Sequence, residues 1–555
     1  MKVVITTSGT GSRLGDFTKY TNKSLVKVGD KYAVCHIIDI YKDVPNITFV
    51  ITLGYFANHV RDFLDIAYPN IKFEYVYIDK YEGKGSSLGY SLLQAKSVLQ
   101  QPFVFHCCDA LIPINKSYAL IDAIKNIDDK DNNTRAGTIC VYNDNTISSH
   151  HYATVNVNTA NDNVVKINDK GERSYDYAYI GVSIIKDYTL FWSILQTLQE
   201  QGAHGKSLSD VHVYRSIIET QNNHRHNHLG YLPIEEWYDT GNIDAFDKAK
   251  KHYKTIYNVL EKMDESICFL DDTVIKFFYD EKVTSNRYTR GLSLDKHTPK
   301  LYDCKGCFFK MELIKGDVLS EYHNQNTIIE LLEYMFNGFW KPINLSDDDR
   351  KKFIKVCHSF YKTKTVDRIN SFKKLQTKYT EINIINGIDV GPIEQLLNLI
   401  DFDWLCDGVP SQFHGDFILD NIIRTYDNKY KLIDWRQDFG GDLYIGDVYY
   451  DLSKLRHNMI FNHSNIVKGL FTVDEIKSAN NTQSQEIILD LKLNFSLINQ
   501  LQSFEECVTK YGYDNKKIKL LTSLIWLNMS PLHSYPISKF LFYFGKFNLY
   551  CALCK

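Results

Sequence analysis

Lys2-Val3-Val4-Ile5-Thr6-Thr7-Ser8-Gly9-Thr10-Gly11-Ser12-Arg13-Leu14 opens the chain behind Met1. Residues 2–7 are a short, largely β-branched run, the pattern of a buried strand. Directly after it, Gly9 and Gly11 allow backbone N–H groups to approach and surround phosphate oxygens. A dinucleotide fold would want a third glycine at position 14; Leu14 stands there, with Arg13 before it. A fixed cation beside a phosphate cradle suits a triphosphate better than NAD. Working outward, strand-like runs near 47–54, 73–79 and 102–109 alternate with helix candidates at 32–43, 56–67 and 86–99. Such alternation implies an α/β domain, Rossmann-like, with a mostly parallel sheet and helices on both faces.

The chain of 555 residues is too long for one ordinary domain, and two to four are expected. With 44% hydrophobic and 24% charged residues there is ample core-forming material. A formal net charge of -3 gives no global reason to expect a nucleic-acid partner. No apolar run reaches the length of a membrane span, and no secretory signal precedes the first strand. The 12 scattered cysteines fit reduced thiols, so a cytoplasmic enzyme is expected. Cys304/Cys307 and Cys551/Cys554 could together hold zinc. However, the first pair falls at an expected hairpin turn and the second at the C-terminus. The expected partners are small molecules, and the chain is compatible with a homo-oligomer.

Residues 243–265 read as a charged amphipathic helix, and Ser266–Asp280 as strand, Asp-Asp turn, strand. The expected boundary lies near 255–262, with a helix joining two halves: 1–255 and 262–555. From 320 onward the pattern is mostly helical, with a loop-rich island at 410–450.

Thr21-Asn22-Lys23-Ser24-Leu25-Val26 follows the first loop. Together the two segments resemble the signature of the sugar-phosphate and phosphocholine nucleotidyltransferases, with Asn22 where that family usually has Pro. Glu82-Gly83-Lys84-Gly85-Ser86-Ser87 is similar to the family's base-and-substrate loop. Asp109, ending the strand-like run from Pro102, matches its first metal-binding Asp. Trp237-Tyr238-Asp239-Thr240-Gly241 resembles the segment that carries the second. Asp169-Lys170 stands where the family has an E-K pair near the substrate phosphate.

The resemblance implies that a substrate phosphate oxygen attacks the α-phosphorus of CTP, UTP or GTP and releases pyrophosphate. That reaction needs charge neutralisation and positioning more than acid–base chemistry. Asp109 and Asp239 would hold Mg²⁺, Arg13 would stabilise pyrophosphate, and Lys23 the α-phosphate. Ser8, Gly9, Thr10, Gly11 and Gly83 would cradle the nucleotide, and Lys170 the substrate phosphate.

A second constellation lies at Phe413-His414-Gly415-Asp416-Phe417-Ile418-Leu419-Asp420-Asn421. Protein kinases use H-R-D with the same spacing to Asn. The glycine form resembles the aminoglycoside and choline kinases, which phosphorylate small alcohols. The resemblance implies a bilobal protein-kinase-like domain, with an N-lobe over about 262–318 and a helical C-lobe over about 319–555. Asp416 would orient the substrate hydroxyl or accept its proton, and Asn421 would bind Mg²⁺. Asp438-Phe439-Gly440 spells the protein-kinase metal motif, yet Asp434 ends an apolar strand in Lys431-Leu432-Ile433-Asp434-Trp435 and is the preferred ligand. Gly446–Leu452 reads as structural support for the loop. Lys276 would hold the ATP phosphates, and the backbone of Glu312-Leu313 the adenine. The helix after Lys276 supplies no well-placed glutamate to pair with it, Glu281 being the nearest.

Two activities on one chain imply consecutive steps: a kinase makes a phosphate that the transferase activates, giving an NDP-sugar or NDP-polyol for surface polysaccharide synthesis. A choline or ethanolamine kinase joined to a CTP:phosphocholine-type cytidylyltransferase is the alternative. It would want an aromatic cage, for which Trp526, Tyr535, Phe542 and Tyr543 are available. A third reading makes one half a non-catalytic regulatory module.

Overall fold

The computed structural model describes residues 1–127, 135–143, 149–202, 205–221, 228–257, 262–375, 381–477 and 484–554. They form two compact units: residues 1–284 with 302–311, and residues 285–301 with 312–555.

In the first unit the expected alternation is present: β1 (Lys2–Thr6), α1 (Ala33–Tyr41), β2 (Thr48–Leu53), α2 (Ala57–Ala67), β3 (Lys72–Tyr77), α3 (Leu88–Gln94), β4 (Phe103–Cys107), β5 (Ala110–Leu111) and α4 (Tyr118–Lys125). There follow β6 (Arg135–Tyr142), β7 (Thr154–Asn158), β8 (Asn163–Asn168), β9 (Tyr177–Ile185), α5 (Tyr188–Gln201), α6 (Asp210–Gln221), β10 (His228–Pro233), β11 (Tyr238–Asp239) and α7 (Ile243–His252). The nine-stranded sheet runs β3-β2-β1-β4-β9-β6-β10-β8-β7. Val3 and Ile5 point into a core with α1, α2 and α4, and Val4 into another with α3, α5 and α6. Helices therefore cover both faces, because β1 alternates while being apolar on each side.

The expectation of a mostly parallel sheet holds only for β3-β2-β1-β4. Beyond β4 the sheet is mixed: β9 is antiparallel to β4 and β6, while β10 is parallel to β6. Here strands follow one another over short connections such as Asn158–Asn163, which only antiparallel pairing can accommodate.

A helix running through 243–265 is not found. Helix α7 ends at His252, and the chain turns at Tyr253 (φ -82, ψ 78). The Ile256 N–H donates to Asp30 Oδ2 at 2.8 Å, and the Tyr257 ring stacks on Phe269 at 3.9 Å. These anchors draw β-branched Thr255 and Ile256 out of helical geometry. Residues 258–261, within the expected boundary, lie outside the described residues.

The expected hairpin forms as β12 (Glu265–Leu270) and β13 (Thr273–Phe278), in a four-stranded sheet with β14 (Leu301–Lys305) and β15 (Phe308–Glu312), ordered β12-β13-β15-β14. Cys307 and Phe308 pack beside Phe63 of α2, so this sheet shares the core of the first unit. Cys304 and Cys307 flank the β14–β15 turn, and all 12 cysteines are free thiols.

Helix α8 (Glu281–Leu294) leads into the second unit. That unit contains β16 (Gly316–Val318), α9 (Thr327–Gly338), α10 (Lys364–Leu375), β17 (Ile384–Ile385), β18 (Ile388–Asp389), β19 (Ile422–Thr425), β20 (Tyr430–Leu432) and α11 (Val448–Ile460). It continues with β21 (Phe471–Lys477), β22 (Ser484–Leu491), α12 (Leu501–Lys510), α13 (Asn515–Met529) and α14 (Ile537–Cys554). The mostly helical expectation misses one element: β21 and β22 form an antiparallel pair, extended by β17 and β18. Val473 and Ile487 are the buried residues of these two strands among the described residues, each flanked by more exposed neighbours, so the pair offers little apolar periodicity to read. Among the described residues no helix is long and apolar enough to cross a membrane.

Candidate functional site

In the first unit, β5 and β11 form a two-stranded ribbon that brings two distant acids together. Asp239 lies opposite Ala110, and the Thr240 N–H donates to Asp109 O at 2.9 Å. A Cβ added to Gly241 would lie 2.7 Å from Asp109 Oδ2 and 2.9 Å from Asp239 Oδ1. Both carboxylates thus face one small space that only glycine leaves open. The same point is 3.5 Å from Arg13 Nη2, so the guanidinium borders the pair.

Lys23 Nζ meets Asp109 Oδ2 at 2.5 Å. Burial opposes charge on both partners, but their attraction outweighs it, raising the Lys23 ammonium pKa and lowering the Asp109 carboxyl pKa. Asp239 Oδ2 accepts bonds from Tyr152 Oη at 3.0 Å and Asn242 Nδ2 at 3.1 Å, and Oδ1 accepts the Gly241 N–H at 2.8 Å. Burial, then the Asp109 charge, push its carboxyl up to about 6. Two close oxygen donors with such a penalty on the second charge fit a divalent cation. Magnesium commonly takes one or two carboxylates and fills its remaining positions with water and substrate phosphate.

The phosphate loop approaches the same place. Gly11 has φ +67, and a Cβ there would strike Lys23 Cβ at 2.8 Å, so the glycine lets the loop pass over the lysine. Gly9 is exposed and Thr10 half-buried, whereas Ser8 is buried, its Oγ 3.0 Å from Ser91 Oγ. Gly83 (φ +76) sits in an exposed turn ahead of Ser87, which caps α3. Asp169 pairs with Arg215 at 2.6 Å. Lys170 is exposed; partial burial and then Arg13 lower its pKa, while Asp239 and Asp109 oppose the shift.

Sequence reasoning missed Asn22 and Tyr152. Asn22 is fully buried and donates Nδ2 to Thr7 O at 2.8 Å and Tyr55 O at 2.6 Å. Its Oδ1 accepts from Ser24 N at 2.9 Å and Ser24 Oγ at 2.8 Å, capping the turn that carries Lys23. An Asn two residues before Ser is a recognisable Asx-turn signal. Nothing in the sequence marks Tyr152.

In the second unit the loop 413–421 and the end of β20 converge. Asn421 Nδ2 donates to Asp416 O at 2.9 Å and Asp416 Oδ2 at 3.2 Å. The Ile433 N–H donates to Asn421 O at 2.9 Å, placing Asp434 beside the pair. Asp434 holds φ +59, a strained backbone for a non-glycine residue. Arg287 Nη1 lies 3.2 Å from Asp434 Oδ1, and Lys454 Nζ 2.7 Å from Asp416 Oδ1. Burial would raise the Asp416 carboxyl pKa, yet Lys454 outweighs it and holds the group below the usual carboxylate range. Asn421 and Asp434 supply hard oxygen donors suited to magnesium. Among the described residues no group of three or more His, Cys, Asp or Glu side chains is arranged as a closed metal cage.

Asp451 braces this loop. Its fully buried carboxylate accepts the N–H groups of His414 and Gly415, each at 2.7 Å, and Trp340 Nε1 at 3.1 Å. Asp447 receives the N–H groups of Val409 at 2.9 Å and Tyr449 at 3.1 Å. Phe439 is buried against Phe360 at 4.7 Å and Phe413 at 5.7 Å, while Asp438 caps the following turn through the Gly441 N–H at 3.1 Å. Lys276 is buried on β13 in the first unit, where Glu281 faces the Gly306 turn. The Glu312 N–H bonds Lys300 O at 2.9 Å, and Leu313 follows β15. Trp526, Phe542 and Tyr543 are buried while Tyr535 is 71% exposed, so the four do not share one cage.

Residues 2–256 match the nucleotidyl transferase family model. Among solved structures, the chain is similar to the inositol-1-phosphate CTP transferase of T. maritima: 18% identity over 45% of this chain and 96% of that one, TM-score 0.35. It is also similar to the UTP-bound UGPase of Acinetobacter baumannii: 18% identity, 45% and 92% covered, TM-score 0.37. A UDP-glucose pyrophosphorylase complexed with UDP-glucose shows 15% identity, 45% and 97% covered, TM-score 0.37. Among curated proteins, none matches the chain. The chain is thus a mixed α/β protein that carries a nucleotidyl transferase domain at residues 2–256.

Proposed function

We propose that the first unit joins an NTP to a small phosphorylated substrate and that the second makes such a phosphate with ATP. The observation that carries the first half is the meeting of Asp109 and Asp239 at one point bordered by Arg13 and contacted by Lys23. An oxygen of the substrate phosphate attacks the α-phosphorus, the bond to the bridging oxygen breaks, and pyrophosphate leaves with its electron pair. Arg13 faces the charge that builds on pyrophosphate, Lys23 releases Asp109 to steady the α-phosphate, and Lys170 holds the incoming phosphate. Magnesium on Asp109 and Asp239 would supply neutralisation of the crowded oxygens. The substrate favoured is a sugar or polyol phosphate, and the product an NDP-sugar or NDP-polyol.

In the second unit, the substrate hydroxyl oxygen bonds to the γ-phosphorus of ATP while the β–γ bridging bond breaks and ADP leaves. Asp416 orients the hydroxyl and takes its proton before passing it to solvent. The contact of Asn421 with Asp416, and the placement of Asp434 beside it, support this reading. The backbone of Glu312-Leu313 is the proposed adenine-binding segment of this unit.

The test is a matrix assay. Each alcohol is offered with ATP, and each phosphate with CTP, UTP and GTP, while ADP and pyrophosphate are followed. Asp416→Asn is expected to abolish ADP formation and spare transfer from a supplied phosphate, with Asp109→Ala doing the reverse. Loss of both activities from either substitution in a folded protein would refute the two-site reading.

A further inference from the structure

Beside Asp416 the second unit encloses a cavity of about 220 Å³ whose lining is charged in one sense. Lys364 and Arg368 enter from α10, Arg436 from the segment after Asp434, and Lys454 from α11; among the described residues no carboxylate belongs to the lining. The opposite wall is apolar, from α13. Two of the cations bracket one ring: Lys364 Nζ lies 4.1 Å and the Arg436 guanidinium carbon 5.1 Å from the Phe360 centroid. Lys454 is also the cation engaged by Asp416, at 2.7 Å from its Oδ1, so a lining residue of the cavity touches the proposed proton acceptor.

Two polar atoms of lining residues are buried without a hydrogen-bond partner in the protein: the donor Arg436 Nε and the acceptor Asn528 Oδ1. An orphaned guanidinium donor and an orphaned amide oxygen ask for a ligand with an anionic oxygen and a hydroxyl. Burial first, then Arg436, Arg368 and Lys454, depress the Lys364 ammonium to about 7, with Asp438 opposing. The cations therefore repel one another until an anion arrives. Phe360, Tyr361 and Tyr450 also line the cavity, but Lys364 and Arg436 already face the Phe360 ring, and four cations would repel a quaternary ammonium.

We propose that this cavity is the acceptor site of the second unit and that it takes a small alcohol bearing a carboxylate or phosphate, its hydroxyl toward Asp416. The proposal rests on the phosphotransfer reading of Asp416, Asn421 and Asp434, and deepens it by naming the substrate class. It favours sugar acids, polyol acids and phosphorylated alcohols over neutral polyols, and opposes choline and ethanolamine.

The test has two arms on the full chain. In the first, Lys364 is acetylated with a limiting amine-specific reagent and read by mass spectrometry, with D-glycerate, glycerol 3-phosphate, inorganic phosphate, glycerol or choline added. Anions should protect Lys364 at least fivefold, glycerol and choline should not, and Arg368→Gln should remove the protection. Glycerate against glycerol 3-phosphate separates carboxylate from phosphate recognition. In the second, ADP formation is measured with the same alcohols. Anionic acceptors should exceed glycerol and choline in kcat/KM, and Arg368→Gln should raise KM for the anion about tenfold or more, the worth of one charge-assisted hydrogen bond. Protection without ADP formation would keep the anion site and defeat the phosphotransfer reading. ADP formation from neutral or cationic alcohols without protection by anions would overturn the anion site and keep phosphotransfer. Neither signal would defeat both.

Discussion

Asn22 is the residue on which the aim of Lys23 depends. It makes four hydrogen bonds from a fully buried position, two as donor to Thr7 O and Tyr55 O and two as acceptor from Ser24. Asn22→Ala removes all four and strands two carbonyls, one N–H and one hydroxyl. At about 1 kcal/mol net per bond, the expected loss of stability is about 3–4 kcal/mol. Asn22→Pro probes a different quantity. The native φ of -73 suits a proline ring, so the turn is kept while the side-chain bonds are lost. Its loss should be smaller by about 1 kcal/mol, because proline restricts the unfolded chain. Urea unfolding gives the stabilities, and titration with CTP, UTP and GTP gives nucleotide affinity. A misdirected Lys23 should weaken nucleotide binding about tenfold in the alanine variant, one charge-assisted contact's worth, with recovery in the proline variant. Wild-type stability and affinity in Asn22→Ala would refute the anchoring argument.

Gly241→Ala places a methyl between Asp109 and Asp239 and should lower pyrophosphate release more than a hundredfold while leaving ADP formation unchanged. Asp451→Ala strands three buried donors and should cost about 3 kcal/mol or more in urea unfolding, with ADP formation lost and transfer retained. His106 is buried, hydrogen-bonded by Tyr41 Oη and Ala110 O at 2.7 Å each, and burial depresses its pKa to about 4. It is neutral in the folded state and takes up a proton on unfolding below its ordinary value of 6.5. Its contribution to stability is therefore full above pH 6.5 and lost as pH falls toward 4, by about 3 kcal/mol. In His106→Gln, unfolding free energies between pH 7 and 4 should fall less steeply than in the wild type by that amount; equal slopes would contradict the assignment.

The residues before 110 announce their own structure, because each strand is a short run rich in β-branched or aromatic residues and the helices between them carry apolar faces. Gly11 was equally legible, since its positive φ and the close approach of Lys23 select glycine locally. The H-G-D-x-x-x-x-N spacing likewise identified a loop whose Asp416 and Asn421 are in fact bonded to each other. Where order in space departs from order in sequence, the chain alone was silent. The mixed half of the sheet, the β21–β22 pair and the end of α7 at His252 depend on long-range pairing and on anchors such as Asp30. The distance between Asp109 and Asp239 is set by the two-residue pairing of β5 with β11, which no local propensity encodes. The sign of charge in the cavity beside Asp416 is likewise tertiary. Lys364, Arg368, Arg436 and Lys454 come from three separate segments, and each alone reads as an ordinary surface cation. Electrostatic character is a sum over neighbours in space, so only the folded chain could assign it.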